Sequence, residues 1–182
     1  VGSEMCIRDS LKKRAEMIII GGTAAALGFG FKNATQDIDT YNRISHLKEA
    51  IEKARAETKF YIPVDHVGIV EAPINCEDRF VSYKPKSFEK LEVKIPEAMD
   101  LIFMKMIRFE EHDRAAISQI IRAAAVEPAP LFERYIDEMR SVTKDQRTLD
   151  SHFLALVADC FGDSEAQKFS KQLGSVRGHN KY

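Results

Sequence analysis

The chain has 182 residues, 27 basic against 28 acidic for a formal net charge of −1, and 45% of it is apolar. That is enough for one substantial core with a helical appendage, and the balanced charge excludes a protein that coats nucleic acid by bulk electrostatics, while a local basic patch stays open. Cys6, Cys76 and Cys160 stand far apart without metal-ligand spacing, which suits a reducing cytoplasm, and no apolar run reaches membrane-spanning length.

Taken in order, residues 1–10 show neither helical nor strand periodicity and are set aside as a non-native leader, so the native N-terminus is expected to be missing. Residues 11–16 are basic and read as a helix end leading into an apolar strand at Met17-Ile18-Ile19-Ile20. Gly21-Gly22-Thr23 then opens a helix over 22–31, with Thr23 as a possible N-cap, and Gly28 and Gly30 mark where it stops. A polar loop, 32–36, includes Thr35 and precedes a second strand over 37–43. Asn42 and Ser45 supply turn chemistry, and Ser45 is placed to cap a helix over 46–58 whose Leu47, Ala50, Ile51 and Ala54 share one stripe.

Residues 60–70 are apolar and β-branched, with Pro63 suiting a strand start or an edge. A loop over 72–78 leads to a hairpin, 79–83 and 91–95, joined by a basic connection over 84–90; Leu91, Val93 and Ile95 alternate with Glu92 and Lys94, so one face is wet. Pro96 starts a helix over 97–108, a second runs over 113–125, and Pro128 and Pro130 break it. Helices over 131–139 and 150–161 follow, before a glycine-rich polar end at 174–182 that is expected to be disordered. These elements predict an α+β fold: a mixed sheet flanked by helices over 11–125, then a helical extension over 126–173.

Chemistry concentrates where the first strand meets its glycines. Paired glycines let a backbone approach a ligand closely, and the amides opening the next helix attract an anion. On a strand, Asp37 and Asp39 project to one face while Ile38 enters the core. Carboxylates forced together repel, and Mg²⁺ or Mn²⁺ resolves the repulsion. Phosphate at the turn and metal on the acids together make a site for a nucleoside triphosphate. A third carboxylate on a neighbouring strand would complete a two-metal arrangement, and the candidates are Asp65 and Glu92. The bland readings are an exposed face or a turn-capping device for Asp37 and Asp39 and a plain tight turn for Gly21-Gly22.

Gly21-Gly22-Thr23 with Asp37-Ile38-Asp39 resembles the Gly-Gly/Ser plus Asp-x-Asp signature of the nucleotidyltransferase superfamily, the polymerase-β-like fold. The branch it looks most like holds the AbiEii-type toxin nucleotidyltransferases and uncharacterised relatives. Pro96-Glu97-Ala98-Met99-Asp100-Leu101 through Lys105, Arg108 and Asp113 is similar to a segment that follows the catalytic core there. The matches span about residues 15–121 of this sequence.

The resemblance implies transfer of a nucleoside monophosphate from an NTP to a hydroxyl of tRNA or protein, with metal on Asp37, Asp39 and Asp65. It implies phosphate binding by Gly21, Gly22, Thr23 and Lys105, and a toxin with an antitoxin partner. Lys105 reads equally as a snorkelling side chain, and Arg79 and Arg108 as partners of nearby acids. Relatives commonly carry two aspartates three apart after the arginine; here Asp113 is followed at that spacing by Ala116. If Asp113 caps the next helix, the departure matters little. A catalytically silent regulator with the same fold is the alternative. A P-loop or Rossmann enzyme is a distant third reading: the chain has no Gly-x-x-x-x-Gly-Lys-Ser/Thr, and Gly28-Phe29-Gly30 lacks a third glycine and follows a helix.

Overall fold

Met17, Ile18, Ile19 and Ile20 are all buried, and a run that is apolar on both faces can only be an inner strand. In the computed structural model, which describes residues 13–32, 37–59, 61–68, 70–84 and 90–178, that run forms β1 (Ala15–Ile18) and its continuation. The leader, residues 1–10, and Thr35 lie outside the described residues, as do 179–182. Lys13 and Arg14 are not helical, so the helix end expected over 11–16 is replaced, in its described part, by the start of the strand.

The chain divides into two units. The first holds α1 (Gly21–Phe29), β2 (Ile38–Thr40), α2 (Lys48–Thr58), β3 (Val64–His66), β4 (Val81–Tyr83) and β5 (Leu91–Ile95). β1 runs parallel to β5, with Met17 opposite Val93, and β5 runs antiparallel to β4, with Lys94 opposite Ser82. β2 and β3 are parallel, Asp39 opposite Asp65. An antiparallel bridge between Ile19 and Thr40 joins the two groups, reinforced by Ile20 N–H to the Asp39 carbonyl at 3.0 Å and Tyr41 N–H to the Ile18 carbonyl at 2.9 Å. The strands thus follow the order β4-β5-β1-β2-β3, the mixed sheet that the sequence predicts.

β2 is shorter than the expected 37–43 because side chains take over its pairing. Asn42 Oδ1 accepts the Ile18 N–H at 2.8 Å and its Nδ2 donates to the Glu16 carbonyl at 3.0 Å, so one amide side chain imitates the next rung of the ladder. Ser45 does not cap α2. It opens a 3-10 turn, Ser45–Leu47, and α2 begins after Leu47 without a side-chain cap. The predicted stripe of Leu47, Ala50, Ile51 and Ala54 is buried. α1 ends at Gly30, whose φ of +68° lets its N–H reach back to the Ala26 carbonyl while Phe31 N–H reaches Ala25.

The second unit, 71–75 and 98–182, contains α3 (Ala98–Arg108), α4 (Glu111–Ala124), α5 (Pro128–Glu138), α6 (Gln146–Phe161) and α7 (Asp163–Gly178). The helices over 98–124 therefore group with the C-terminal helices. Pro128 both ends the preceding segment and starts α5, since a first-turn position needs no N–H. α6 begins at Gln146, four residues before the expected start, because the Asp145 carboxylate accepts the Thr148 N–H at 2.9 Å. Tyr135 stacks on Phe153 at 4.2 Å between ring centroids and Phe132 on Phe169 at 4.4 Å, giving this unit an aromatic core. α7 continues to Gly178, correcting the disordered end expected from Gly174: buried Phe169 and Leu173 hold a helix whose glycine costs about 1 kcal/mol. Among the described residues no helix is long and apolar enough to cross a membrane.

Candidate functional site

β1 runs out at a turn that only glycine can make easily. Gly21 has φ +69°, and a Cβ built on it would lie 2.9 Å from Asp39 Oδ2. The Asp39 carboxylate therefore occupies the space that a side chain at position 21 would fill. α1 starts at the same place with no side-chain cap and no acidic residue in its first turn. The opening amides and the positive end of the helix dipole thus carry no carboxylate of their own from α1.

The sheet register sets the acids. Asp39 lies directly opposite Asp65 on parallel neighbouring strands, so both side chains leave the same face, from backbones about 5 Å apart. Thr40, next in line, points the other way and is fully buried. Asp37 sits one residue ahead of β2, at a bend, and is exposed. Its carbonyl oxygen accepts the Thr23 hydroxyl at 2.9 Å. Thr23 is accordingly not an N-cap of α1: it sits inside the first turn and reaches across to the bend before β2.

Glu92 stands elsewhere. It is opposite Glu16 near the start of β1, the far end from Gly21, and accepts the Ser82 hydroxyl at 2.9 Å. Of the two candidates for a third carboxylate, only Asp65 is paired with Asp39. The trio Asp37, Asp39 and Asp65 is not drawn together as tightly as a group elsewhere in the described residues, where Glu110, His112 and Asp113 bring ligand atoms within 4.8 Å of one another. Like charges side by side favour the wider spacing.

That other group is an ion-pair network of the helical unit. Arg108 donates to both oxygens of Asp113, at 2.7 and 2.9 Å, and Lys105 Nζ lies 3.4 Å from Asp113 Oδ1. Lys105 is buried, so its ammonium is directed onto Asp113 and does not snorkel to solvent. Burial alone would raise the Asp113 pKa, but the Arg108 hydrogen bonds and the charges of Lys105, Arg108 and His112 outweigh it and hold the carboxyl below its ordinary value. Asp113 is not the N-cap that the sequence suggests. Glu110 is, and Asp113 answers from the third helical position by accepting the Glu110 N–H at 3.3 Å. Ala116, one turn on, is fully buried in α4.

Sequence reasoning missed three residues around the acids. Thr40 Oγ1 donates to the Asp65 carbonyl at 3.1 Å, with the Asn42 carbonyl at 3.2 Å as its other acceptor. Asn42 completes the β1 edge, and Tyr41 donates its hydroxyl to Glu77 while its ring meets Phe80 edge-on at 5.2 Å. Burial, then the Glu77 bond, raises the Tyr41 pKa. Only the position of Thr40 and Tyr41 beside Asp-x-Asp could have drawn notice; their partners are remote in sequence.

No curated protein and no solved structure matches the chain. One family model does, over residues 4–157, and it names neither a toxin branch nor a substrate. The chain thus belongs to the family described as nucleotidyltransferase of unknown function (DUF6036), and is a nucleotidyltransferase.

Proposed function

We propose that the protein transfers a nucleoside monophosphate from an NTP to an acceptor hydroxyl, using Asp37, Asp39 and Asp65 as a divalent-metal site. The observation that carries this is the junction at Gly21: the Asp39 carboxylate lies against the glycine, beside Asp65, at the uncapped start of a helix. A metal site needs oxygen donors converging on one face, and a polyphosphate needs close-approaching amides; here the two are adjacent. Bound Mg²⁺ or Mn²⁺ would supply the positive charge that steadies the attacking and leaving oxygens.

The chain's own residues have separate tasks in this reading. Gly21, Gly22 and Thr23 offer backbone N–H groups to the phosphates, with no Cβ at 21 or 22 to hold them off. The three aspartates would hold the divalent ion whose charge lets the anionic α-phosphate lie beside them, facing the incoming hydroxyl. That oxygen bonds to the α-phosphorus, the bond to the β-phosphate oxygen breaks, pyrophosphate leaves, and the hydroxyl proton passes to solvent. Lys105 belongs instead to the Asp113 network, on which its ammonium is already directed.

A hydroxyl of tRNA or protein as acceptor, and a cytoplasmic toxin held by an antitoxin, form the finer reading that the AbiEii-type resemblance supports. A second reading, a catalytically silent nucleotide- or partner-binding regulator, is favoured by the looser spacing of the three acids. Incubation with α-labelled NTPs, Mg²⁺, bulk tRNA and protein decides between them. The proposal expects label transfer that falls at least about 100-fold in Asp39→Asn. ATP binding by calorimetry without any pyrophosphate release would establish the silent reading instead.

A further inference from the structure

All three aspartates have their main-chain carbonyl oxygens held. Asp39 is fixed by the β1 backbone, through Ile20 N–H at 3.0 Å. The other two accept threonine hydroxyls: Thr23 on Asp37 at 2.9 Å, and Thr40 on Asp65 at 3.1 Å, the latter in addition to the β2–β3 ladder. Each threonine comes from a different element than the aspartate it holds. Thr23 ties the first turn of α1 to the bend before β2, and Thr40 ties β2 to β3.

Neither bond is required by the fold's regular pairing. Asp37 precedes β2, so its carbonyl lies outside the described ladder, and β2 and β3 share only three register positions. In so short a pair few rungs set the register, and a slip by one residue would turn Asp65 to the opposite face from Asp39. Thr40 is fully buried, bridged to Ile19 on one side and accepting the Val67 N–H at 3.0 Å on the other, so its hydroxyl is set in a fixed backbone beside Asp65. Thr23 is placed to act in the same way on Asp37, which is exposed at the bend before β2.

We infer that Thr23 and Thr40 are positioning residues that set the spacing of the carboxylates, and that the Thr23 hydroxyl is a latch on Asp37, not a phosphate ligand. This rests on the three-aspartate metal reading above. Loss of an outer-shell bond to a ligating side chain weakens metal binding about 10- to 100-fold; these bonds act one step further back, on the main chain that carries each carboxylate, so the lower end of that range applies. Valine matches threonine in shape and removes only the hydroxyl; serine restores it.

The test is a titration with Mn²⁺ alone, followed by the loss of the free-ion signal in electron paramagnetic resonance, on the full chain and on Thr40→Val, Thr40→Ser, Thr23→Val and Asp39→Asn. Wild type is expected to bind, Asp39→Asn to lose binding, and each valine variant to bind about 10-fold more weakly. Thr40→Ser should return to within about 2-fold of wild type, given that the hydroxyl is the active group. Thermal melting without metal separates the alternative: a merely structural threonine would lower the melting point and leave Mn²⁺ affinity unchanged, which overturns the inference. If Thr40→Val does not fold, Thr23→Val carries the comparison, its hydroxyl bond lying at the exposed surface. Unchanged Mn²⁺ binding in Asp39→Asn, or none in wild type, would instead overturn the underlying metal reading.

Discussion

At residue 21 a backbone angle and a carboxylate depend on the same missing atom. A φ of +69° strains any L-residue by about 1–2 kcal/mol. Because a Cβ there would sit 2.9 Å from Asp39 Oδ2, Gly21→Ala also displaces that carboxylate. We expect the variant to unfold at lower urea, by about 1–2 kcal/mol, and to lose transferase activity far beyond that loss of stability. Activity that falls only in step with stability would mean the Asp39 position is immaterial. Asp113 presents a different balance. Its pKa is held below the ordinary carboxyl value, so its contribution to stability is complete at neutral pH and is lost as the pH falls through the depressed folded value. Asp113→Ala, which removes the buried carboxylate that Lys105 and Arg108 share, should cost about 3–5 kcal/mol at pH 7 and flatten the acid limb of a stability–pH curve measured by urea unfolding.

At the scale of elements, most helices were legible in the sequence, but their ends were not, and α7 was not assigned as a helix of its own. The stripe of α2 and the alternation of β5 are written in local periodicity, and both appear as read. What decides the ends is tertiary or unusual. α7 passes through Gly174 because Phe169 and Leu173 are buried, and α6 starts early on an aspartate cap. α4 ends at Ala125 with φ +50°, a left-handed cap made by a residue that does not favour it. Ala125 is exposed, so a smaller residue there loses little packing. Ala125→Gly should therefore raise stability by about 0.5–1 kcal/mol in urea melts, and a destabilised variant would show that the αL strain is not what limits this helix end. The Asp37–Asp39 motif could be found from spacing alone, whereas Thr40, Asn42 and the pairing of Asp39 with Asp65 are contacts over 24 to 26 positions that no local pattern encodes.

For the whole molecule, the sequence conveyed the fold class and a nucleotidyltransferase, though no AbiEii-type branch is shown, and the structure adds that Asp39 is paired with Asp65. The mixed sheet follows from one inner strand, β1, that takes a parallel neighbour on one side and an antiparallel bridge on the other. That arrangement brings the end of β1, the start of α1 and the facing positions of β2 and β3 to one place. It also separates the two candidates for the third carboxylate, Asp65 beside Asp39 and Glu92 beside Glu16. The most direct measurement is pyrophosphate release from NTP and Mg²⁺ by Asp65→Asn and Glu92→Gln, assayed side by side with wild type. The account predicts a fall of at least about 100-fold for Asp65→Asn and activity within about 2-fold of wild type for Glu92→Gln. A full rate in Asp65→Asn, or an equal loss in Glu92→Gln, would contradict it.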